Sequence, residues 1–348
     1  MKHYHRKIIL LGICGIIALF GLSGCGRQAQ KLSKVDTAMG TVIQETIYVW
    51  DEDGGQEILQ EILQELEVLE QKSLSWRADG SEVAEINANA SKTEGVTLSE
   101  EMLADLQQIW EVSRKSEGAL DVTVGQVTGL WDLDTWATGE KENPEGFQVP
   151  DEIDLKKELT NTGYEKVVLE GEKIYLPEGM SLDLGAVGKG IACDRIGGYL
   201  AEQEEIQGAV ISVGGSIMTY GSKPDGGSWN VAIVHPREEG NYLGTLTLQG
   251  EWYVSTSGDY ERYVEKDGVR YHHILEPRTG YPVNNNVCSV TILSDSGLLS
   301  DALSTACFVL GVEEGRKLAE EFGAEVLFVT KELEIFMTDG MEKHFSAY

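Results

Sequence analysis

Asp183-Leu-Gly-Ala-Val-Gly-Lys-Gly-Ile-Ala-Cys-Asp194 sets three glycines and a lysine between two acids, at a point where the chain changes period. Upstream, 174–184 reads as extended. Downstream, Ala192, Ile196, Tyr199 and Leu200 recur at i, i+4, i+7 and i+8, so the spacing predicts a helix beginning near Lys189. A glycine-rich strand-to-helix corner lets an anion approach exposed amides at the positive end of the helix dipole. The same residues also fit a tight turn with no ligand. Neither common nucleotide motif is present. Gly185 to Gly190 lacks the spacing and the Ser/Thr of a P-loop, and Cys193 stands where the third dinucleotide-fold glycine belongs.

Beyond this corner, short strands dominate: 209–213, 229–234, 244–248, 252–255, 270–275 and 287–293. Helices follow from about Leu298 and Glu313, then strands 326–330 and 333–338. Before the corner, Thr41 to Trp50 alternates as a strand, and Ile58, Leu59, Ile62, Leu63, Leu66 and Leu69 mark a helix. Ser99 followed by two glutamates caps another, with Leu103, Leu106, Ile109 and Trp110 on its apolar stripe. Hairpins and segregated helices without regular βα alternation define an α+β class and argue against a doubly wound sheet. The stretch 138–150 reads as a polar surface loop.

Residues 1–24 join a basic start (Lys2, Arg6, Lys7) to an apolar run that ends in Leu22-Ser-Gly-Cys25. This reads as a secretion signal whose apolar core is short for a bilayer span, with an uncleaved N-terminal anchor of the same topology as the alternative, and its ending resembles a bacterial lipoprotein cleavage box. The resemblance makes Cys25 the lipidated N-terminus, residues 25–34 a tether, and 35–348 one body anchored on the cell membrane facing away from the cytoplasm. Removing 1–24 leaves 25 Lys+Arg against 58 Asp+Glu, a net charge of −33. Such a chain is a poor partner for nucleic acid or anionic membrane surfaces. A phosphate-bearing ligand would be repelled at long range unless a divalent cation or local Lys/Arg reversed the sign. Cys193, Cys288 and Cys307 have no C-x-x-C spacing and are most simply small buried side chains.

Two later segments carry chemistry-bearing residues. In Ser300-Asp-Ala-Leu-Ser-Thr-Ala-Cys-Phe-Val-Leu310, helical period puts Asp301, Ser304 and Thr305 on one face, an oxygen set able to meet a hard cation such as Mg²⁺. A first-turn acid with solvated hydroxyls fits as well. With four histidines left after the signal and no cysteine at ligand spacing to them, zinc is disfavoured. In Tyr271-His-His-Ile-Leu-Glu-Pro-Arg-Thr-Gly280, strand alternation lets only one of His272 and His273 enter a given site. That one suits a general base and the other a packing role, while a structural histidine pair bonded across strands fits as well. Thr256-Ser-Gly-Asp-Tyr-Glu-Arg262 adds a glycine-containing loop.

Taken in order, these blocks resemble the FAD:protein FMN transferase (ApbE) family. The match runs through Met39-Gly-Thr41, Gly118-Ala-Leu-Asp-Val-Thr-Val-Gly125, Asp183-x-Gly-Ala-x-x-Lys-Gly-x-x-x-Asp194, Gly214-Gly215, Thr256-Ser-Gly258, His273 with Pro277-x-Thr-Gly280, and Asp301-Ala-Leu-Ser-Thr305. The resemblance implies a T-fold-like α+β body that takes FAD as substrate with Mg²⁺ and moves FMN onto a threonine of another protein, releasing AMP. By position it implies flavin contacts at Met39, Trp76, Ala119, Leu120, Asp121, Asp183, Lys189 and Leu275. Metal ligands are implied at the Ala186 carbonyl, Asp301 and Thr305, with Ser304 where some relatives carry aspartate, and His273 is the matching base. The family's acceptor pattern, Asp-Gly-(Ala/Ser)-Thr-(Ser/Thr), is absent from this chain, so the acceptor is expected to be a separate protein. Segments of membrane redox proteins outside the cytoplasm are the expected partners. A Mg²⁺-dependent FAD pyrophosphatase and a lipid-anchored FAD-binding protein are the competing readings.

Overall fold

The computed structural model describes residues 28–137 and 146–348; the proposed signal, Cys25 and most of the 138–150 loop lie outside the described residues. The chain opens with β1 (Gln30–Ala38) and β2 (Thr41–Val49), followed by α1 (Glu52–Leu69), α2 (Glu82–Ala88), β3 (Val96–Thr97) and α3 (Glu100–Lys115). Next come α4 (Gly125–Trp131), α5 (Leu133–Ala137), α6 (Glu152–Leu159), β4 (Val168–Glu170), β5 (Lys173–Tyr175) and α7 (Gly188–Ala201). A run of strands follows: β6 (Ile206–Val213), β7 (Ser216–Gly221), β8 (Trp229–Val234), β9 (Tyr242–Leu248), β10 (Trp252–Gly258), β11 (Tyr263–Lys266), β12 (Val269–His272) and β13 (Val287–Ser294). The chain closes with α8 (Gly297–Leu310), α9 (Val312–Glu321), β14 (Glu325–Thr330), β15 (Ile335–Met337), α10 (Asp339–Glu342) and β16 (Phe345–Ala347).

Eight strands form one sheet in the order β1-β2-β6-β7-β10-β13-β14-β15, with every pair antiparallel. The α+β class therefore holds. One face is covered by helices. Ile43, Ile47 and Val49 of β2 meet Ile58, Ile62 and Leu66 of α1 and Ile196 of α7, while α8 lies over the centre of the sheet with α3 outside it. The other face packs on a small sheet, β16-β9-β8, through Trp229, Val231, Leu246 and Leu248 against Val254, Leu293 and Leu327. Covered on both sides, β13 is buried along its whole length, Ser289, Thr291 and Ser294 included.

Two boundaries need correcting. The body starts at Gln30, because residues 30–34, expected to be tether, are the first half of β1 and pair with β2 from Gln30↔Val49 onward. The extended reading of 174–184 holds only for its start, since β5 ends at Tyr175 and the rest is loop touching Val124 through a single bridge at Ser181. The helix forecast near Lys189 begins at Gly188. The three cysteines are free and buried, as expected.

Candidate active site

One cavity lies where α7, α8, the loop after β10, the segment after β12 and the α4–α5 corner meet. It is lined by Lys189 and Ala186 from the glycine corner, Asp301 and Thr305 from α8, and His273 from the segment just after β12. Trp76, Ala119, Leu120, Asp121, Asp183 and Leu275 line it too, so eleven of the thirteen residues expected in the cofactor, metal and base positions share this space. Met39 and Ser304 do not.

Met39 sits in the β1–β2 turn with positive φ (52°), its amide donating to Glu70 Oε2 at 2.9 Å and its side chain packed between the two helical cores. Ser304 is buried beneath the cavity wall. Its hydroxyl donates to the Asp301 carbonyl at 2.8 Å and pairs with the hydroxyl of Ser257, a lining residue, at 2.7 Å, so it meets the cavity only through Ser257. Helical period put Ser304 on their face, but α8 is wrapped on nearly all sides, which leaves no single polar face.

The glycine corner also works differently from expectation. The amides at the start of α7 are the anion site that the sequence suggested, yet the anion they meet is the protein's own Asp301. Gly190 N–H donates to Asp301 Oδ2 at 2.9 Å, with Lys189 N–H and the Ser216 hydroxyl as further donors. Asp301 is 4% exposed, and burial pushes its carboxyl above the usual range against the pull of Lys189 and these donors. Because the Gly190 amide goes to Asp301, it does not close back on the carbonyl of Ala186 four residues earlier, where a continuous helix would send it.

Two helix axes come this close only because of glycine. A Cβ on Gly190 would stand 2.1 Å from the Gly297 carbonyl oxygen, and one on Gly297 would stand 2.3 Å from the Gly190 oxygen. Arg195, one turn on, bonds Asp105 of α3 at 2.7 Å and fixes the far side of α7.

His272 and His273 separate as strand alternation requires. His272 is buried edge-on against Phe308, its Nε2 bonded to the Val283 carbonyl at 3.0 Å. His273 faces the cavity and places Nδ1 3.3 Å from the Arg262 carbonyl. A carbonyl can only accept, so Nδ1 carries the proton and Nε2 keeps a free lone pair. Burial, then the charge of Arg262, pushes His273 down to about 3, with Asp134 opposing and Lys189 adding to the fall. The imidazole is therefore neutral through the whole physiological range.

Among the lining residues, Arg77, Asp134, Thr128 and Trp131 escaped the sequence reading, and they hold ones it did single out. Arg262 Nη1 bonds Asp134 at 2.9 Å, Arg77 lies 3.9 Å from the same carboxylate, and Arg77 is stacked 4.2 Å over the ring of Trp76. Thr128 donates to Asp183 Oδ2 at 2.8 Å, while Gly185 N–H donates to Oδ1 at 2.9 Å, fixing the acid that opens the corner. Asp121 is similarly engaged, accepting from the Thr123 amide and hydroxyl and from Tyr164 N–H at 2.6–2.9 Å, so it shapes the cavity floor. Trp131 supports the opposite wall. Its indole donates to the Gly280 carbonyl at 2.6 Å, and it packs with Phe147, Tyr271 and Tyr281.

The cavity carries Lys189, Arg262 and Arg77 against Asp121, Asp132, Asp134, Asp183, Glu261 and Asp301. Three cations facing six acids leave the wall net negative. Among the described residues no three His, Cys, Asp or Glu side chains form a metal cage. The set at hand is one carboxylate with a carbonyl and a hydroxyl (Asp301, Ala186, Thr305). This sparse all-oxygen group fits Mg²⁺, whose shell is completed by waters and substrate phosphates.

A model of the ApbE family matches residues 39–328. The chain is 32% identical over 322 residues to an FAD:protein FMN transferase of Vibrio cholerae, covering 92% of this chain and 93% of the relative. It is 35% identical over 271 residues to one of Klebsiella pneumoniae, covering 76% and 80%. Among solved structures it resembles the ApbE protein of Thermotoga maritima (TM-score 0.79, 31% identity, 90% of this chain and 99% of that one). It also resembles the apo flavinyl transferase ApbE of Pseudomonas stutzeri (TM-score 0.77, 27% identity, 92% and 98%). With the glycine–lysine corner, the α8 acid and the cavity imidazole converging in a fold shared with these proteins, the chain belongs to the ApbE family.

Proposed function

We propose that this protein transfers the FMN half of FAD to a threonine hydroxyl of a separate protein, with release of AMP, in a Mg²⁺-dependent reaction at this cavity. The observation that carries the reading is the convergence of Lys189, the Asp301–Thr305 pair and His273 on one space. The threonine oxygen attacks the phosphorus on the FMN side. The new P–O bond makes a phosphoester, the bond to the bridging oxygen breaks, and that oxygen leaves with AMP.

Each group has a task that follows from its position. His273 Nε2, unprotonated and open to the cavity, takes the threonine proton; a positioned base typically contributes about 10²- to 10⁴-fold. Lys189 offsets negative charge on the diphosphate. Trp76, 37% exposed and backed by Arg77, offers a flat surface for an aromatic ring system. Asp301, the Ala186 carbonyl and Thr305 would hold Mg²⁺, which when bound supplies Lewis-acid neutralisation of the phosphoryl oxygens. As part of the same proposal, Cys25 carries a lipid that holds the enzyme on the outer face of the cell membrane. There it meets extracytoplasmic segments of membrane redox proteins.

The test incubates the protein with FAD and Mg²⁺, with and without an acceptor segment bearing Asp-Gly-Ala-Thr. Covalent flavin is read by mass spectrometry and AMP by chromatography. FMN mass on the threonine with equimolar AMP is expected. AMP without covalent flavin would replace the transferase by a pyrophosphatase, and FAD binding with neither product would leave a binding protein.

A further inference from the structure

The geometry points to Asp194 as a positioning residue that sets the cation site from outside the cavity; this rests on the Mg²⁺-dependent reading above. Asp194 does not line the cavity. It lies one turn beyond Gly190 on α7, and its carboxylate reaches across to cap a different helix. Oδ1 accepts from Gly297 N–H at 2.6 Å, and Oδ2 accepts from Leu298 N–H at 2.7 Å and from the Ser296 hydroxyl at 3.2 Å. Ser296 Oγ in turn accepts from Leu299 N–H at 3.3 Å. The first amides of α8 are thus satisfied by a charge borrowed from α7, which also complements the α8 dipole.

Two further contacts make this cap a lever on the site. Gly190 and Gly297 meet backbone to backbone, and the Gly190 amide holds Asp301. On α8, Gly297, Asp301 and Thr305 follow one another at four-residue spacing, hence along one edge. On α7, Gly190 and Asp194 have the same spacing. Asp194 therefore fixes the start of that edge, Gly190 its next turn, and the position of Asp301 and Thr305 relative to Ala186 and Lys189 follows. Loss of the cap lets α8 shift against α7, and the oxygens that would ligate Mg²⁺ no longer meet at one point. Groups that orient metal ligands in this indirect way commonly change metal affinity by about 10- to 100-fold.

The experiment compares Asp194→Asn with the unaltered protein in two titrations: Mn²⁺ binding to the full-length protein by electron paramagnetic resonance, and transfer against Mg²⁺ at saturating FAD. We expect metal affinity to weaken and the Mg²⁺ requirement to rise by about tenfold in parallel, with the transfer rate largely recovered at saturating Mg²⁺. Ser296→Ala, which removes one member of the same cap, should shift both in the same direction by a smaller factor, and it serves should Asp194→Asn fail to fold. A fall in thermal midpoint with unchanged metal affinity and Mg²⁺ requirement would reduce Asp194 to a structural cap and overturn the inference. If the unaltered protein transfers FMN at full rate in EDTA, the Mg²⁺ dependence of the proposed reaction fails instead, independently of what Asp194 does to Mn²⁺ binding.

Discussion

Glu45 is the side chain most at odds with its surroundings, and its replacement gives a quantitative test. It lies on the core-facing side of β2 between Ile43 and Ile47, is 2% exposed, and neither carboxylate oxygen has a hydrogen-bond partner among the described residues. Lys34, directly opposite on β1, spends its ammonium on Asp36 at 2.8 Å. Burial, only partly countered by Lys34 and reinforced by Asp36, raises Glu45 from 4.5 to about 7. The sign follows directly. Between those values the folded protein holds a proton that the unfolded chain has released, so stability present below pH 4.5 is lost as pH rises through the folded value. The full cost is about 3 kcal/mol, at 1.36 kcal/mol per unit. Glu45→Leu removes the titration while keeping the volume close. Urea midpoints for both proteins at pH 5 and pH 8 isolate Glu45, because every other group cancels in the difference. The advantage of the variant should grow by roughly 2 kcal/mol between the two pH values. An equal difference at both would mean that Glu45 ionises freely in the folded protein, and would refute the buried-acid argument.

Replacing His273 by Gln should lower flavin transfer by at least about 10²-fold while FAD binding, followed by flavin fluorescence, stays within a few-fold. In the unaltered protein, kcat/KM should show no break near 6.5, because the free imidazole titrates near 3. The break in kcat should lie higher, since a bound diphosphate offsets the Arg262 and Lys189 charges that depress it. Asp301→Asn should flatten the Mg²⁺ titration of transfer; retained Mg²⁺ stimulation would remove Asp301 from the cation site. Gly190→Ala drives a methyl group to 2.1 Å from the Gly297 carbonyl, backbone against backbone, where no rotamer change relieves it. A cost of about 3 kcal/mol or more is expected, seen as a lowered urea midpoint.

What could be read from the sequence was whatever local periodicity determines. β2, α1 and the Ser99 cap of α3, with its hydroxyl accepting from Met102 N–H at 3.1 Å, declare themselves because one face of each is apolar. Strand alternation alone separated His273 from His272. β1 was missed because it is an edge strand in which only Leu32 and Ala38 join the core, so Lys31, Ser33, Lys34 and Asp36 make it read as a solvated tether. The corner of α4 and α5 was missed for a different reason. Asp132 there has a left-handed conformation (φ 48°), and the segment is held by Trp131 against Phe147 and Tyr271, contacts made from far along the chain. Asp134 and its pairing with Arg262 came with it. Ser304 was misplaced because a helix buried on nearly all sides has no polar face for a period to reveal.

The one site feature that local reasoning located but assigned to the wrong anion also explains the electrostatics. A free helix start beside Lys189 would itself have met a diphosphate, and no cation would have been required of the geometry. With the Gly190 amide committed to Asp301 and the Gly188 amide to the Leu184 carbonyl, the corner offers Lys189 as its cation, while Arg77 and Arg262 face Asp134. In the proposed reaction, a diphosphate entering a wall of six acids would need positive charge beyond what these side chains supply. The carboxylate occupying the helix start is the group best placed to recruit it. The close approach of Gly190 and Gly297 therefore does more than pack two helices. In the proposed reaction it would turn a phosphate-type corner into the anchor of an oxygen-lined cation site, which is why that proposal calls for a cation.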